Sequence, residues 1–259
     1  LTGVPAPDPS DASCPGLMDI ARDRWDARLA GIARVPLALL PEIRPSAAII
    51  GRVNATAARW SGLREGLPVV LGGGDGPTTA LGVGAAEAGR IYACLGTSAW
   101  ISEIAARPSD DPAQRLITFR HVLPGLYAWT GSTQNCGNVL EWMARRIAGT
   151  ERWRETLADD LARVPPGADD LLFVPYLHGE RTPWWDAEIR GALFGIDPSH
   201  TPAHHVRAAI EGIGFELRQI LDVFRERGAA RPPLAIVGGI SESAPVRALL
   251  TEILAMPVA

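Results

Sequence analysis

The stretch Val69–Ile101, VVLGGGDGPTTALGVGAAEAGRIYACLGTSAWI, decides how the chain folds. A β-branched run stops on Gly72-Gly73-Gly74, and the first charge beyond them is Asp75. A second apolar run, Ile91–Leu95, stops on Gly96-Thr97-Ser98. Two strands thus end in bare backbone, one offering a carboxylate and the other hydroxyls. Between them GPTTALGVGAA reads as a helix of small residues. This is the grammar of an α/β protein, in which ligands sit at the carboxyl ends of strands.

Outward from this stretch the alternation continues. On the N-terminal side SAAIIGRV predicts a strand, and NATAARWSGL a short helix capped by Asn54. Further back, DRWDARLAGI has helical spacing, with Trp25, Leu29 and Ile32 expected on one face. On the C-terminal side HVLPGLYAWTGS predicts a strand and NVLEWMARRIAG a helix with Val139, Trp142, Met143 and Ile147 apolar. ERWRETLADDLARV is amphipathic, and LLFVPYL reads as a buried strand. A long helix, TPAHHVRAAIEGIGFELRQILDVFRERG, is expected to stop at Gly228. PLAIVGGI then predicts a strand, and SAPVRALLTEIL a helix with Pro245 in its first turn. The switch after the first strand–helix unit puts a domain boundary near residue 86.

Three glycine clusters close apolar runs: Gly72–Gly74, Gly96 and Gly238-Gly239. Glycine lets backbone N–H groups approach phosphate oxygens with no Cβ in the way. Thr97 and Ser98 add hydroxyl donors, and Gly238-Gly239 precedes a helix start whose dipole can face an anion. A single such cluster is ordinary turn chemistry; three together point to a phosphate-bearing ligand. Asp75 has two readings on spacing alone: a general base on a rigid strand tip, or a helix N-cap.

Composition bounds the rest. The chain has 259 residues, 47% of them hydrophobic, and a formal charge of -4, which argues against a nucleic-acid partner. No apolar run approaches the roughly 20 residues of a membrane span. Cys14, Cys94 and Cys136 lie far apart and form no CxxC pair, so they read as reduced, mostly buried thiols of a cytoplasmic protein. All 25 Lys-plus-Arg positions are Arg. That excludes, within this chain, a Walker A lysine and a Schiff-base lysine. A phosphate site here must use backbone amides, hydroxyls, a metal or Arg.

Competing motifs fail. Gly72-x-Gly74 is followed by Pro77 and Gly82-x-Gly84 by Glu87 where a dinucleotide fingerprint needs glycine, which disfavours an NAD-linked oxidoreductase. There is no G-x-S-x-G elbow and no H-E-x-x-H. His200 and His204 are expected as solvated residues near a helix start, and His121 and His178 show no sequence-visible partner. Trp184-Trp185, an aromatic pair in a polar loop, is a candidate cleft lining.

GGGD, LGTS, PYLHGERTPWWDAEIRG and IVGGISES, each after or beside a strand, resemble the FGGY carbohydrate kinases, and the spacing is most similar to the xylulokinase branch. GALFGIDPSHTPAHHVRAAIEG resembles the family's second long pattern: Gly191, Leu193, Gly195, Ile196, His204 and Glu211 fit, while His205 stands where an aliphatic residue is usual. SDAS and RWDARL…LLPEIRPS…IGRV resemble the segment preceding the family's catalytic aspartate.

The resemblance implies a ribonuclease H-like fold of the actin and hexokinase type, with two domains flanking a cleft. Residues 1–86 would end a sugar-binding domain, and 87–259 would be an incomplete nucleotide-binding domain. It implies ATP-dependent phosphorylation of a sugar hydroxyl, with a ketopentose such as xylulose as substrate, ATP and Mg²⁺ as co-reactants, and a homodimer as the family's common assembly. Asp75 matches the base that also touches the sugar. Gly96, Thr97 and Ser98 match a phosphate loop; Gly137 and Glu141 line the nucleotide; Gly238, Gly239 and Ser243 match the adenosine motif. The family's N-terminal phosphate loop and its C-terminal end have no counterpart in the chain, which is therefore expected to be a piece of a kinase. Gly76 stands where the family often has a sugar-contacting Gln, which leaves gluconate-, ribulose- and glycerol-type substrates open. A nucleotide-binding module without transfer activity is the rival from a different class.

Overall fold

A computed structural model describes all of residues 1–259. The chain divides into two compact units. The first comprises Leu1–Ala88, Ile104–Ser109 and Thr118–Trp129; the second comprises Gly89–Glu103, Asp110–Ile117 and Thr130–Ala259.

The first unit begins with Asp8 capping the short helix Pro9–Ala12, followed by a two-residue ribbon in which Met18 faces Trp25. Asp26 then caps the helix Ala27–Ile32, accepting from the amides of Arg28 and Leu29. The expected apolar face fails here. Trp25 belongs to the ribbon, where its indole N–H reaches the Pro41 carbonyl at 2.7 Å, and Ile32 is 72% exposed. Six helical residues give less than two turns, and Ala30 alone is buried. Asn54 caps the helix Ala55–Ser61 as predicted, and Gly62 ends it in the left-handed region. The strands Ile49–Arg52 and Pro68–Val70 pair antiparallel and deliver the chain into Gly72–Gly74. The helix Asp75–Gly82 follows at once.

A five-stranded sheet runs in the order Ala235–Val237, Ile91–Leu95, Ala99–Ala105, Tyr127–Ser132, Ile117–Arg120. Ala235–Val237 lies parallel to Ile91–Leu95, which forms an antiparallel hairpin with Ala99–Ala105 through Gly96–Ser98. The predicted strand at His121–Ser132 begins only at Tyr127, because a turn intervenes; the edge strand Ile117–Arg120 went unread.

In the second unit the helix Pro202–Glu226 runs through the core, with one face buried along its length. It packs against Trp153–Arg163, Ala244–Leu254 and Leu172–Val174. Gly212 and Gly214 permit the close approach: a Cβ on Gly212 would lie 2.3 Å from the Phe173 carbonyl oxygen, and one on Gly214 2.7 Å from Ile253. Within this helix Arg207 and Glu211, one turn apart and both buried, pair at 2.8 Å. Arg207 also donates from Nη1 to the carbonyls of Leu161 and Val164. Leu172–Val174 pairs with Ala192–Phe194 as a two-stranded ribbon, not as the buried strand expected. One face is covered by the long helix, and Leu172 on the other is exposed. Val139 and Met143 are buried as predicted, whereas Trp142 and Ile147 are exposed where the helix Gly137–Trp142 widens into a π turn.

The cysteines depart from expectation: only Cys136 is buried, Cys94 is half-buried and Cys14 is exposed. Burial pushes the Cys136 thiol well up. No helix is long and apolar enough to cross a membrane.

Candidate nucleotide site and the Asp75 strand tip

The hairpin turn Gly96–Ser98 is closed by the Gly96 amide donating to the Ser98 carbonyl at 2.9 Å. The next helix docks on this turn. Its first two amides, from Gly137 and Asn138, donate to the carbonyls of Gly96 and Thr97 at 3.0 and 3.1 Å. Those helix-start donors are therefore committed to the protein. Gly137 must be glycine for this contact, since a Cβ would meet the Gly96 oxygen at 2.7 Å. On the parallel neighbour, Gly238 adopts φ +105°, and a Cβ there would lie 2.3 Å from the Leu95 carbonyl oxygen. Backbone thus packs on backbone at two strand ends.

Around them opens a cleft of about 800 Å³, large enough for a nucleotide. Six sequence-chosen residues line it: Gly96, Thr97, Gly137, Glu141, Gly239 and Ser243. Ser98 and Gly238 are not lining residues; they shape the two turns that border it. Ser243 is the N-cap of the helix Ala244–Leu254, so that helix's positive end lies at the cleft.

Glu141 is less available than its position suggests. It accepts the Arg145 guanidinium on one oxygen and, on the other, the Arg154 guanidinium at 2.8 Å and the Trp153 indole N–H at 3.1 Å. Arg154 lies over the Trp153 ring, 4.3 Å from its centroid. Sequence reasoning missed Trp153, Arg154, Leu157 and Ile240, which also line the cleft. No local pattern singles out Arg154 among the 25 arginines.

Asp75 lies in the first unit, outside this lining. The N-cap reading is corrected: Gly74 is the N-cap and Asp75 the first helical residue. Its exposed carboxylate accepts the Gly76 amide at 2.7 Å.

Residues 91–259 match the FGGY family of carbohydrate kinases, C-terminal domain, and residues 1–82 match its N-terminal domain. The chain belongs to the FGGY family. This FGGY chain is 32% identical over 239 residues to the xylulose kinase of Bacillus subtilis (strain 168), covering 92% of the chain and 48% of that protein. It is 32% identical over 262 residues to the gluconokinase of Bacillus licheniformis, covering 95% of the chain and 50% of that protein. The crystal structure of xylulose kinase from Rhodospirillum rubrum superposes on all of the chain and 52% of its own with a TM-score of 0.85 at 32% identity. The FGGY chain therefore has the ribonuclease H-like ATPase fold and spans about half the length of the curated relatives it matches.

Other sequence candidates fall outside the site. Trp184 and Trp185 do not line the cleft. Trp184 donates to Gln219 and Tyr176, and Trp185 to the Arg115 carbonyl, each keeping about half its surface exposed. His204 is not merely solvated: it closes a capping box with Thr201 and pairs with Asp169 at 3.0 Å. His121 and His178 do have partners, the Leu123 amide and the Asn135 side chain. No group of three or more His, Cys, Asp or Glu side chains is arranged to hold a metal ion.

Proposed function

We propose that this chain is the catalytic portion of an ATP-dependent sugar kinase whose acceptor is a ketopentose such as xylulose. The observation that supports the reading is that six of the residues the resemblance singles out line one cleft of nucleotide size. In this reading the second unit binds ATP. The Thr97 hydroxyl faces the phosphates, Trp153 and Ile240 give the base an apolar wall, and Arg154 supplies positive charge. Gly239 and Ser243 present the helix start to the nucleotide.

In this reading Mg²⁺ would arrive on the nucleotide phosphates, since such ions take few protein ligands. It would neutralise phosphate charge when bound. Asp75 accepts the proton of the sugar hydroxyl as its oxygen bonds to the γ-phosphorus and the bond to the ADP oxygen breaks. An exposed carboxylate on the first turn of a helix, behind a pinned glycine loop, suits that role.

Gluconate is the second reading, favoured by the equal identity to a gluconokinase. The test is ADP release by the full-length protein with Mg-ATP against ketopentoses, polyols and aldonates. Turnover with xylulose supports the first reading and with gluconate the second. Silence with ATP still bound points to a nucleotide-binding module.

A further inference from the structure

The glycine loop before Asp75 is pinned from one buried carboxylate. Asp8 is 1% exposed, and so is Ser10. Asp8 Oδ1 accepts the Asp11 amide at 2.9 Å, the bond any N-cap would make. The rest of its hydrogen bonding has another purpose. Ser10 Oγ lies 2.8 Å from both Asp8 oxygens, and Ser46 Oγ, from 38 residues away, lies 2.5 Å from Oδ2.

A carboxylate only accepts, so both serines must donate to it. Each hydroxyl has one proton, so the direction of the next bond is set. Ser10 Oγ turns its lone pairs outward and accepts the Gly74 amide at 2.9 Å, across 64 residues. Ser46 holds the loop's other end: its carbonyl accepts the Gly72 amide at 2.9 Å. Gly73 sits between, where a Cβ would meet Val122 at 2.3 Å, Ser10 Oγ at 3.0 Å and Asp8 Oδ2 at 3.1 Å. Gly74 is the N-cap of the helix that Asp75 begins, so fixing Gly74 fixes Asp75.

We propose that Asp8 is a positioning residue for Asp75, acting through Ser10 and Ser46 on the Gly72–Gly74 loop. The proposal rests on the reading of Asp75 as the base. Its physical content is that Asp75 is aimed by a hydrogen-bond relay of fixed polarity, Gly74 amide to Ser10 hydroxyl to Asp8 carboxylate.

The test uses the full-length kinase with Ser10→Ala, Ser10→Thr, Asp75→Asn and the Ser10→Ala/Asp75→Asn double variant. A displacement of the base by about 1 Å costs on the order of 10²-fold. Ser10→Ala is therefore expected to lower kcat and kcat/KM together by about that factor, with nucleotide Kd unchanged. Ser10→Thr, which keeps the hydroxyl, restores most of the rate. In the Asp75→Asn background Ser10→Ala adds nothing, because the base it aims is gone. An equal further loss in that background overturns the proposal, and so does a Thr variant that folds yet is as slow as Ala. Hydrogen exchange at the Gly74 amide separates the two claims. Faster exchange in Ser10→Ala marks the tether whatever Asp75 does, and unchanged exchange overturns it. Full turnover in Asp75→Asn brings down the base reading and the catalytic half of the proposal with it.

Discussion

The amide of Gly137 donates to the carbonyl oxygen of Gly96 at 3.0 Å, joining the start of one helix to the turn of a hairpin 41 residues earlier in the sequence. No side chain intervenes. This contact makes one wall of the cleft, and it exists because Gly137 has no Cβ, which would meet the Gly96 oxygen at 2.7 Å.

Gly238 makes the companion contact and is the more exacting position. An alanine there would combine a positive φ with a Cβ 2.3 Å from the Leu95 oxygen. Both atoms are held by a parallel strand pair, so neither can give way cheaply. Gly238→Ala is expected to lower stability by about 1–3 kcal/mol and to weaken ADP binding at least tenfold. Denaturant unfolding and calorimetric titration with ADP check the two effects separately.

Asp75→Asn keeps the size of the side chain and removes its ability to take a proton. Turnover in the full-length kinase should fall by about 10²–10⁴-fold while ADP affinity is unchanged, since Asp75 lies outside the cleft lining. Comparable turnover in the variant would sink the assignment.

The buried pair Arg207–Glu211 gives a stability prediction. Glu211→Ala leaves the Arg207 cation in the core with only carbonyl partners and should cost about 3–5 kcal/mol. Replacing both residues with apolar ones of similar size should cost much less. Unfolding free energies for the single and double variants decide it.

Glu216 gives a pH prediction. It is buried on the long helix beside Glu180, whose carboxylate already accepts from the Gln134 and Arg181 amides and the Asn135 side chain. Desolvation first, and then Glu180, holds the Glu216 carboxyl well above the usual range, so it stays protonated when the unfolded chain would ionise. The folded state then binds the extra proton. This contribution is complete below the unfolded value, near 4.5, and is lost as pH rises toward the folded one, at up to about 1.4 kcal/mol per pH unit. Glu216→Gln keeps the size of the side chain and removes the titrating proton. Its Tm should fall less on alkalinisation than that of the wild type, and parallel Tm–pH curves would refute the account.

Much of this was legible in the chain because it is written locally. Asn54, the Pro245 helix start and the stop at Gly228 are caps and breakers whose effect reaches a few residues. The strand-end glycines were legible for the same reason. Trp153 and Arg154 were not, because their place at the cleft depends on a helix packing beside Glu141, and nothing in their own neighbourhood encodes that. Trp184-Trp185 lies outside this cleft: both rings stay about half exposed, and their N–H groups are satisfied on nearby acceptors.

By itself the sequence determined the alternation of strands and helices, the glycines at their tips and the motifs of an FGGY kinase, since backbone preference and apolar period act over a few residues. Tertiary structure alone decided which tips meet. Gly96 and Gly137 converge on one cleft, and Asp8 reaches Gly74 through Ser10, because close packing brings together groups tens of residues apart that share no local pattern.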